Sequence, residues 1–148
     1  MRGGYVRQYM KMGIVGFALV GVMLFSSGSW GDRQTSLVCA ARMIIKARSQ
    51  GYTLRNATFR FLKQGQWIRY NLPMYRGNKY LILACGDTGV RDFNLALYSY
   101  PQGELATEDE TQSRVATASF EPARSDVYLL YASMIEGSGY YTVAVLYK

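Results

Sequence analysis

From Ala57 onward the chain is a series of short segments in which apolar and polar residues alternate. The segments span residues 57–63, 66–72, 79–85, 92–100, 114–120, 126–134 and 139–147, and residues typical of turns separate most of them. A period of two indicates a half-buried β-strand. A run of such strands, spaced about ten residues apart, predicts an antiparallel β-sandwich. Residues 79–85 (KYLILAC) are apolar on both faces, which is typical of a central strand.

The segment before the strands has the period of a helix. Leu37, Ala41 and Ile44 fall on one stripe of residues 33–50, and Gly51 follows as a stop signal. Lys46 and Arg48 lie near the carboxyl end, where cations complement the helix dipole. We therefore expect a mainly β protein with one N-terminal α-helix packed on an antiparallel sandwich of about seven strands. The polar stretch 104–113 is expected to be a loop.

The N-terminus has the three parts of a cleavable signal peptide. Arg2, Arg7 and Lys11 precede an apolar run over residues 12–25, and the small residues of 26–31 (SSGSWG) follow. A membrane-spanning helix needs about 20 apolar residues, so this run has signal-peptide length. We expect residues 1–31 to be removed, a single domain to remain over residues 32–148, and the mature protein to be secreted or periplasmic and not to span a membrane.

The chain has two cysteines, Cys39 on the predicted helix and Cys85 at the end of a predicted strand. An even number of cysteines in an oxidising compartment favours a disulfide. Two buried free thiols are the alternative. A metal site is not expected, because zinc normally takes four ligands and the chain has no histidine.

Charge is distributed unevenly along the mature chain. Residues 32–80 carry ten basic residues and one acid, whereas residues 81–148 carry four basic residues and nine acids. In an exported protein, a basic half points to anionic glycans, lipid headgroups or an acidic protein rather than to nucleic acid. The alternative is that the two halves lie side by side in the fold and form an ordinary solvated surface.

Several motifs of the strand region resemble the bacterial pre-peptidase C-terminal domain and related small secreted proteins. The matching segments are Gly65-Gln66, Leu72 with Gly77 and Tyr80, 92–98 (DFNLALY), Gly103, 120–128 (FEPARSDVY) and 139–145 (GYYTVAV). The resemblance implies a jelly-roll-like sandwich and a module that assists secretion or binds substrate beside an enzyme. Two features depart from the family: Asn94 replaces the second acid of an Asp-x-Asp element, and a helix precedes the module instead of a peptidase.

The residue types present argue against most enzymes. Without histidine, Ser-His-Asp, Cys-His and histidine–metal chemistry are excluded. A carboxylate pair that hydrolyses glycans stays open in principle, since the chain has ten acids. No cofactor is expected. The alternative is calcium held by Asp87, Asp92 and Asn94, because oxygen ligands suit a hard cation. Without calcium, we expect Asp87 to form an Asx-turn, Asp92 to support the start of its strand, and Asp92 and Asn94 to accept backbone N–H groups of the 86–90 loop.

Thirteen tyrosines are many for a chain of 148 residues. Tyr98, Tyr100, Tyr128, Tyr140 and Tyr141 are candidates for an aromatic ligand surface, with tyrosines at the rim of the core as the alternative. The sequence thus predicts a non-enzymatic module that binds a protein or an anionic glycan of the cell envelope. A structural subunit of an envelope assembly is the second hypothesis, and a carboxylate-dependent glycan hydrolase is the third.

Overall fold

The computed structural model describes the backbone of residues 28–148, and their side chains from Asp32 onward. The predicted signal peptide lies almost entirely outside the described residues. One helix and eight strands are present: α1 (Gly28–Ser49), β1 (Thr53–Leu62), β2 (Trp67–Met74), β3 (Tyr80–Gly86), β4 (Val90–Ser99), β5 (Leu105–Asp109), β6 (Val115–Phe120), β7 (Asp126–Gly137) and β8 (Gly139–Tyr147). The helix begins at Gly28, so the predicted cleavage sites fall in its first turn.

The eight strands form two antiparallel sheets of four. Sheet 1 has the order β1-β8-β3-β6, and sheet 2 has the order β2-β7-β4-β5. Successive strands therefore alternate between sheets for most of the chain, as in an eight-stranded jelly roll. The predicted sandwich with one N-terminal helix is confirmed, and β3 is an inner strand of sheet 1, as its apolar sequence predicted.

The main core lies between the two sheets. Alternate residues of every inner strand point into it, among them Ile82 of β3, Phe93 of β4 and Leu130 of β7, all fully buried. Tyr141 crosses the core: its ring packs 4.8 Å from that of Phe93, and its hydroxyl lies 2.9 Å from the hydroxyl of Tyr70. Burial, and then the hydrogen bond to Tyr70, raise the pKa of Tyr141 far above its usual value.

Helix α1 covers the outer face of sheet 1. Its buried side is made of small residues, including Ala40 and Ala47, which let the helix approach Ala144 and Leu146 of β8 closely. Ser36, also buried, lies 2.8 Å from the Thr142 hydroxyl and donates to the Cys85 carbonyl oxygen at 2.9 Å. The helix therefore packs through small side chains and buried hydrogen bonds as well as through apolar contacts.

The carboxyl end of α1 closes in a Schellman motif. Gly51, with φ of +88°, donates its N–H to the Arg48 carbonyl, and Tyr52 donates to the Ala47 carbonyl. In the middle of the helix, the disulfide between Cys39 and Cys85 joins α1 to β3 across a sequence separation of 46 residues. The predicted disulfide is present, with 5.9 Å between the two Cα atoms.

The predicted loop over residues 104–113 is wrong, because part of it forms the edge strand β5. Asp109, expected in a solvated acidic turn, is buried at the end of that strand. Its Oδ1 accepts hydrogen bonds from the N–H and the hydroxyl of Thr111, and its Oδ2 accepts one from the N–H of Thr117 on β6. The carboxylate thus links the edge of sheet 2 to the edge of sheet 1. Burial acts to raise the pKa of Asp109, but these hydrogen bonds outweigh it and lower the pKa below its usual value.

The lowered pKa of Asp109 predicts that acid destabilises the folded protein, and that Asp109→Asn removes this part of the pH dependence of stability. The ionised carboxylate stabilises the fold at neutral pH, and this contribution is lost as pH falls through the folded pKa. Asp109→Asn should cost about 1–3 kcal/mol at pH 7, because it loses charge-assisted hydrogen bonds. The difference in unfolding free energy between wild type and variant should begin to narrow below about pH 4, where the carboxyl of the unfolded chain takes up a proton, and should narrow further as pH falls through the lower folded pKa. Urea unfolding as a function of pH measures this, and a gap that stays constant down to pH 2 would contradict it.

Strands from the two charge halves of the sequence lie next to each other. In sheet 1, β1 from the basic half pairs with β8 from the acidic half. In sheet 2, β2 from the basic half pairs with β7 from the acidic half. The ion pair between Lys79 and Glu121, 3.1 Å apart, also joins the halves. Among the described residues, no helix is both long and apolar enough to cross a bilayer.

A candidate binding face on the uncovered sheet

The outer face of sheet 2 has no helix over it in the described part of the chain, in contrast to sheet 1. Outward residues of neighbouring strands lie opposite one another, so that the strand register places them in rows across the sheet. The rows are Trp67, Ser133 and Asn94; then Arg69, Tyr131, Ala96 and Glu108; then Asn71, Leu129, Tyr98 and Leu105. This face mixes aromatic, amide, hydroxyl and charged groups.

Three aromatic side chains form a continuous diagonal across this face. The ring centroids of Trp67 and Tyr131 are 5.4 Å apart, and those of Tyr131 and Tyr98 are 5.6 Å apart in an edge-to-face arrangement. They line a depression of about 480 Å³ together with Ala96, Gly103, Leu129 and Ser133. Trp67 is 61% exposed, although a tryptophan normally buries its large apolar surface.

A second depression, of about 420 Å³, continues the first along the sheet. It is lined by Arg69, Asn71, Tyr100, Val127 and Leu129, and Leu129 also belongs to the first. The guanidinium of Arg69 has no carboxylate partner within residues 32–148. We call the two depressions together the aromatic groove. It has ring faces in its centre and an unneutralised cation toward one end.

Two side-chain oxygens near the other end of the groove lack hydrogen-bond partners in the described part of the chain. They are Oδ1 of Asp92 and Oδ1 of Asn94, and both atoms are buried. Asn94 lies opposite Ser133, which lines the groove. Buried acceptors without a donor are rare in folded proteins. Because both atoms are buried and neither residue lines the groove, they are unsatisfied acceptors of the fold rather than groups exposed to a ligand.

The three residues of the predicted cation site are not brought together as one ligand set. Asp87 is buried, and its carboxylate is engaged by the backbone: Gly89 donates to Oδ1 at 2.9 Å and Tyr140 donates to Oδ2 at 2.8 Å. Asp87 therefore forms the Asx-turn and also fastens the β3–β4 turn to β8. Asp92 and Asn94 were expected to hold this turn, but Asp87 does so. Within residues 32–148, no three acidic or cysteine side chains are grouped as a metal site would require.

The five candidate tyrosines lie in three different places. Tyr98 and Tyr100 line the aromatic groove. Tyr128 and Tyr141 are buried in the core, so their assignment to a ligand surface is wrong. Tyr140 lies on the outer face of sheet 1, where its ring stacks on Phe59 at 5.2 Å and the Arg33 guanidinium lies over it.

Sequence reasoning missed three central residues of the groove, namely Trp67, Arg69 and Tyr131. All three lie in segments that were predicted as strands, at positions that alternate with buried residues. The alternation could have placed them on the outer face. These three side chains come together only because β2 pairs with β7. The alternation of apolar and polar residues within one strand does not show which strands pair.

Most of the acids that a glycan hydrolase would require have structural partners. Asp87 and Asp109 accept backbone N–H groups, and Glu121, Asp126 and Glu136 form ion pairs with basic side chains at 3.0–3.2 Å. These partnerships hold the carboxylates in turns and at strand ends.

Comparisons with known proteins show distant similarity in structure. No protein-family model matches the chain, and no curated protein matches it. Among solved structures, the chain is similar to the crystal structure of Aeromonas hydrophila PliG, a periplasmic lysozyme inhibitor of g-type lysozyme. The two share 13% sequence identity with a TM-score of 0.48, over 63% of this chain and 85% of the other. The resemblance to pre-peptidase C-terminal domains stays a prediction.

Proposed function

We propose that this protein is an exported, non-enzymatic module that binds an anionic glycan in the aromatic groove of sheet 2. The observation that carries the proposal is the diagonal of Trp67, Tyr131 and Tyr98 on a sheet face that nothing in the described chain covers. Export is supported by the Cys39–Cys85 disulfide, since such bonds persist in oxidising compartments.

The groups in the groove suit a sugar. The C–H face of a pyranose ring carries partial positive charge and packs on the electron-rich face of an aromatic ring. Hydroxyls around the ring need hydrogen-bond partners once they leave water. Asn71 and Ser133 line the groove and can supply such partners. A groove that crosses strands spaced about 4.8 Å apart is long enough for more than one sugar ring.

Arg69 selects for an acidic glycan. Its side chain lies beside Asn71 and Tyr100, and no carboxylate of the described chain neutralises it. A guanidinium can hold a carboxylate through two parallel hydrogen bonds. A uronic acid, or a sugar bearing a carboxylate substituent, would therefore be favoured over a neutral sugar.

Trp67→Ala tests the proposal directly. Polygalacturonate and insoluble peptidoglycan serve as acidic probes and dextran as a neutral one, with affinity electrophoresis and co-sedimentation as readouts. Losing the indole contact should weaken binding to an acidic probe by at least about tenfold. Arg69→Gln should reduce the preference for acidic over neutral polymer. Phe61→Ala is the matched control, because Phe61 is 48% exposed but lies on the other sheet.

Two results would overturn the glycan assignment. One is equal loss of binding in Trp67→Ala and Phe61→Ala. The other is a protein that binds none of these polymers and instead retains an envelope protein in a Trp67-dependent manner. The second result would keep the groove as the binding site but make its partner a protein.

A further inference from the structure

The exposed side of helix α1 is unusually apolar for a face turned to solvent. Val38 is 48% exposed and Ile45 is 67% exposed, although both are large aliphatic side chains. With Leu37 and Ala41 they form a stripe opposite the buried Ala40 and Ala47. We call these four residues the helix ridge. Helical periodicity places them together on one side, because they recur at spacings of three and four residues.

Basic residues lie along one flank of the helix ridge and at its carboxyl end. Arg42 and Lys46 lie one turn apart along the flank, and Arg48 lies one turn beyond Ile45 in line with the ridge; all three are exposed. None of them has an ion pair with a described residue. Arg42 and Lys46 are like charges at i and i+4, a spacing that destabilises an isolated helix. The arrangement becomes favourable when an anionic surface lies against it.

Acidic groups do not offset this charge. From Asp32 to Tyr80 the only acid is Asp32 itself, and its carboxylate accepts a hydrogen bond from the Thr88 hydroxyl at 2.8 Å. The remaining acids belong to the strands and turns after β3. The helix therefore presents an apolar stripe with cations beside it and at its carboxyl end, on the side of α1 that faces away from sheet 1.

We propose that the helix ridge binds the surface of an anionic phospholipid bilayer, with the protein lying on the membrane rather than crossing it. Exposed aliphatic side chains beside a row of cations are features of a helix that lies in a membrane interface. The apolar side chains would enter the boundary between headgroups and acyl chains. The long side chains of Arg42, Lys46 and Arg48 can extend toward lipid phosphates while their methylene groups stay in apolar surroundings. This proposal is independent of the glycan groove, which lies on the other sheet.

Vesicle co-sedimentation tests the proposal with the protein recovered from the exporting cell. Vesicles of phosphatidylcholine alone are compared with vesicles that also contain phosphatidylglycerol, at low salt and at high salt. Binding should require the anionic lipid and weaken as salt screens the charges. Each cation near an anionic surface contributes about a fivefold factor, so Arg42→Gln with Lys46→Gln should weaken binding about 25-fold. Ile45→Asn should also weaken it several-fold.

Matched controls separate this surface from net charge and from the groove. Arg76→Gln with Arg124→Gln removes the same charge from turns on the sandwich and should change binding less than twofold. Trp67→Ala should leave vesicle binding unchanged while it affects glycan binding. Thermal unfolding confirms that each variant is folded, which is expected because the substituted side chains are exposed.

Three outcomes would overturn the proposal. Equal binding to vesicles with and without phosphatidylglycerol would show that binding does not depend on the cations of the helix. Equal loss of binding in the helix double variant and in the Arg76→Gln, Arg124→Gln double variant would show that binding depends on net charge and not on the helix ridge. Absence of vesicle binding, together with an Ile45-dependent dimer in solution, would assign the helix ridge to contact between two copies of the chain.

Discussion

Removing the Cys39–Cys85 bond is expected to lower the free energy of unfolding by about 4 kcal/mol. The bond closes a loop with a sequence separation of 46 residues, and cross-linking so long a loop strongly restricts the unfolded chain. This is a large part of the stability of a domain of this size. The double variant Cys39→Ala with Cys85→Ala, studied by urea unfolding, measures the effect without a leftover thiol.

The same change should affect the helix more than the sandwich. Sheet 1 and sheet 2 keep their shared core, whereas α1 loses its covalent link to β3 and is then held by side-chain packing and by the hydrogen bonds of Asp32, Arg33 and Ser36. Hydrogen exchange should therefore quicken first in α1. Reducing agent should reproduce the effect in wild type and leave the double variant unchanged. Two reactive thiols per chain in the folded, unreduced wild type would show that the bond does not form.

Asp87→Ala is expected to cost about 3 kcal/mol or more. The carboxylate is 2% exposed and accepts one backbone N–H from its own turn and one from β8, and each hydrogen bond to a charged group contributes about 1.5–3 kcal/mol. Gly139 packs directly against this carboxylate, so little space is left for a rearranged side chain. Thermal and urea unfolding measure the loss.

Asp92→Ala is the matched control for Asp87→Ala. Its Oδ1 has no hydrogen-bond partner within the described residues, so the cost should stay below about 1 kcal/mol. Saturating calcium should leave the melting temperature of the wild type unchanged, because the Asp87 oxygens already accept backbone donors. A calcium-dependent rise in melting temperature that disappears in either variant would instead place a cation at the β3–β4 turn.

The sequence predicted the architecture well because the sandwich is encoded by alternation within each strand. Phe93, Leu95 and Leu97 point inward as their spacing requires, and the helix ends at Ser49, just before the predicted stop signal at Gly51. The strand β5 was missed because its sequence, LATED, is polar and short. What makes it a strand is tertiary: β4 pairs with it, and Asp109 is held by Thr111 and Thr117.

The candidate site was less predictable because it depends on which strands become neighbours. Tyr140 and Tyr141 are adjacent in one strand, so they must face opposite sides, and they could not belong to one surface. Tyr128 shares its face with the buried Leu130. Trp67 and Tyr131 are 64 positions apart in the sequence and meet only through the pairing of β2 with β7. Asp87 and Asp92, by contrast, are close in sequence but serve different parts of the fold.

The order of layers, helix then sheet 1 then sheet 2, gives the molecule a fixed thickness between its two proposed contact surfaces. A helix layer of about 10 Å and a sheet-to-sheet distance of about 10 Å hold the aromatic groove roughly 20 Å from the helix ridge, on the opposite side of the molecule. A protein resting on a bilayer through its helix would therefore present the groove outward at constant height. Weak binding at the two surfaces would then be mutually reinforcing, because a protein bound through its helix ridge holds its aromatic groove at a raised local concentration near the polysaccharide. In that geometry the sandwich acts as a rigid spacer that sets the gap between a lipid surface and an acidic polysaccharide.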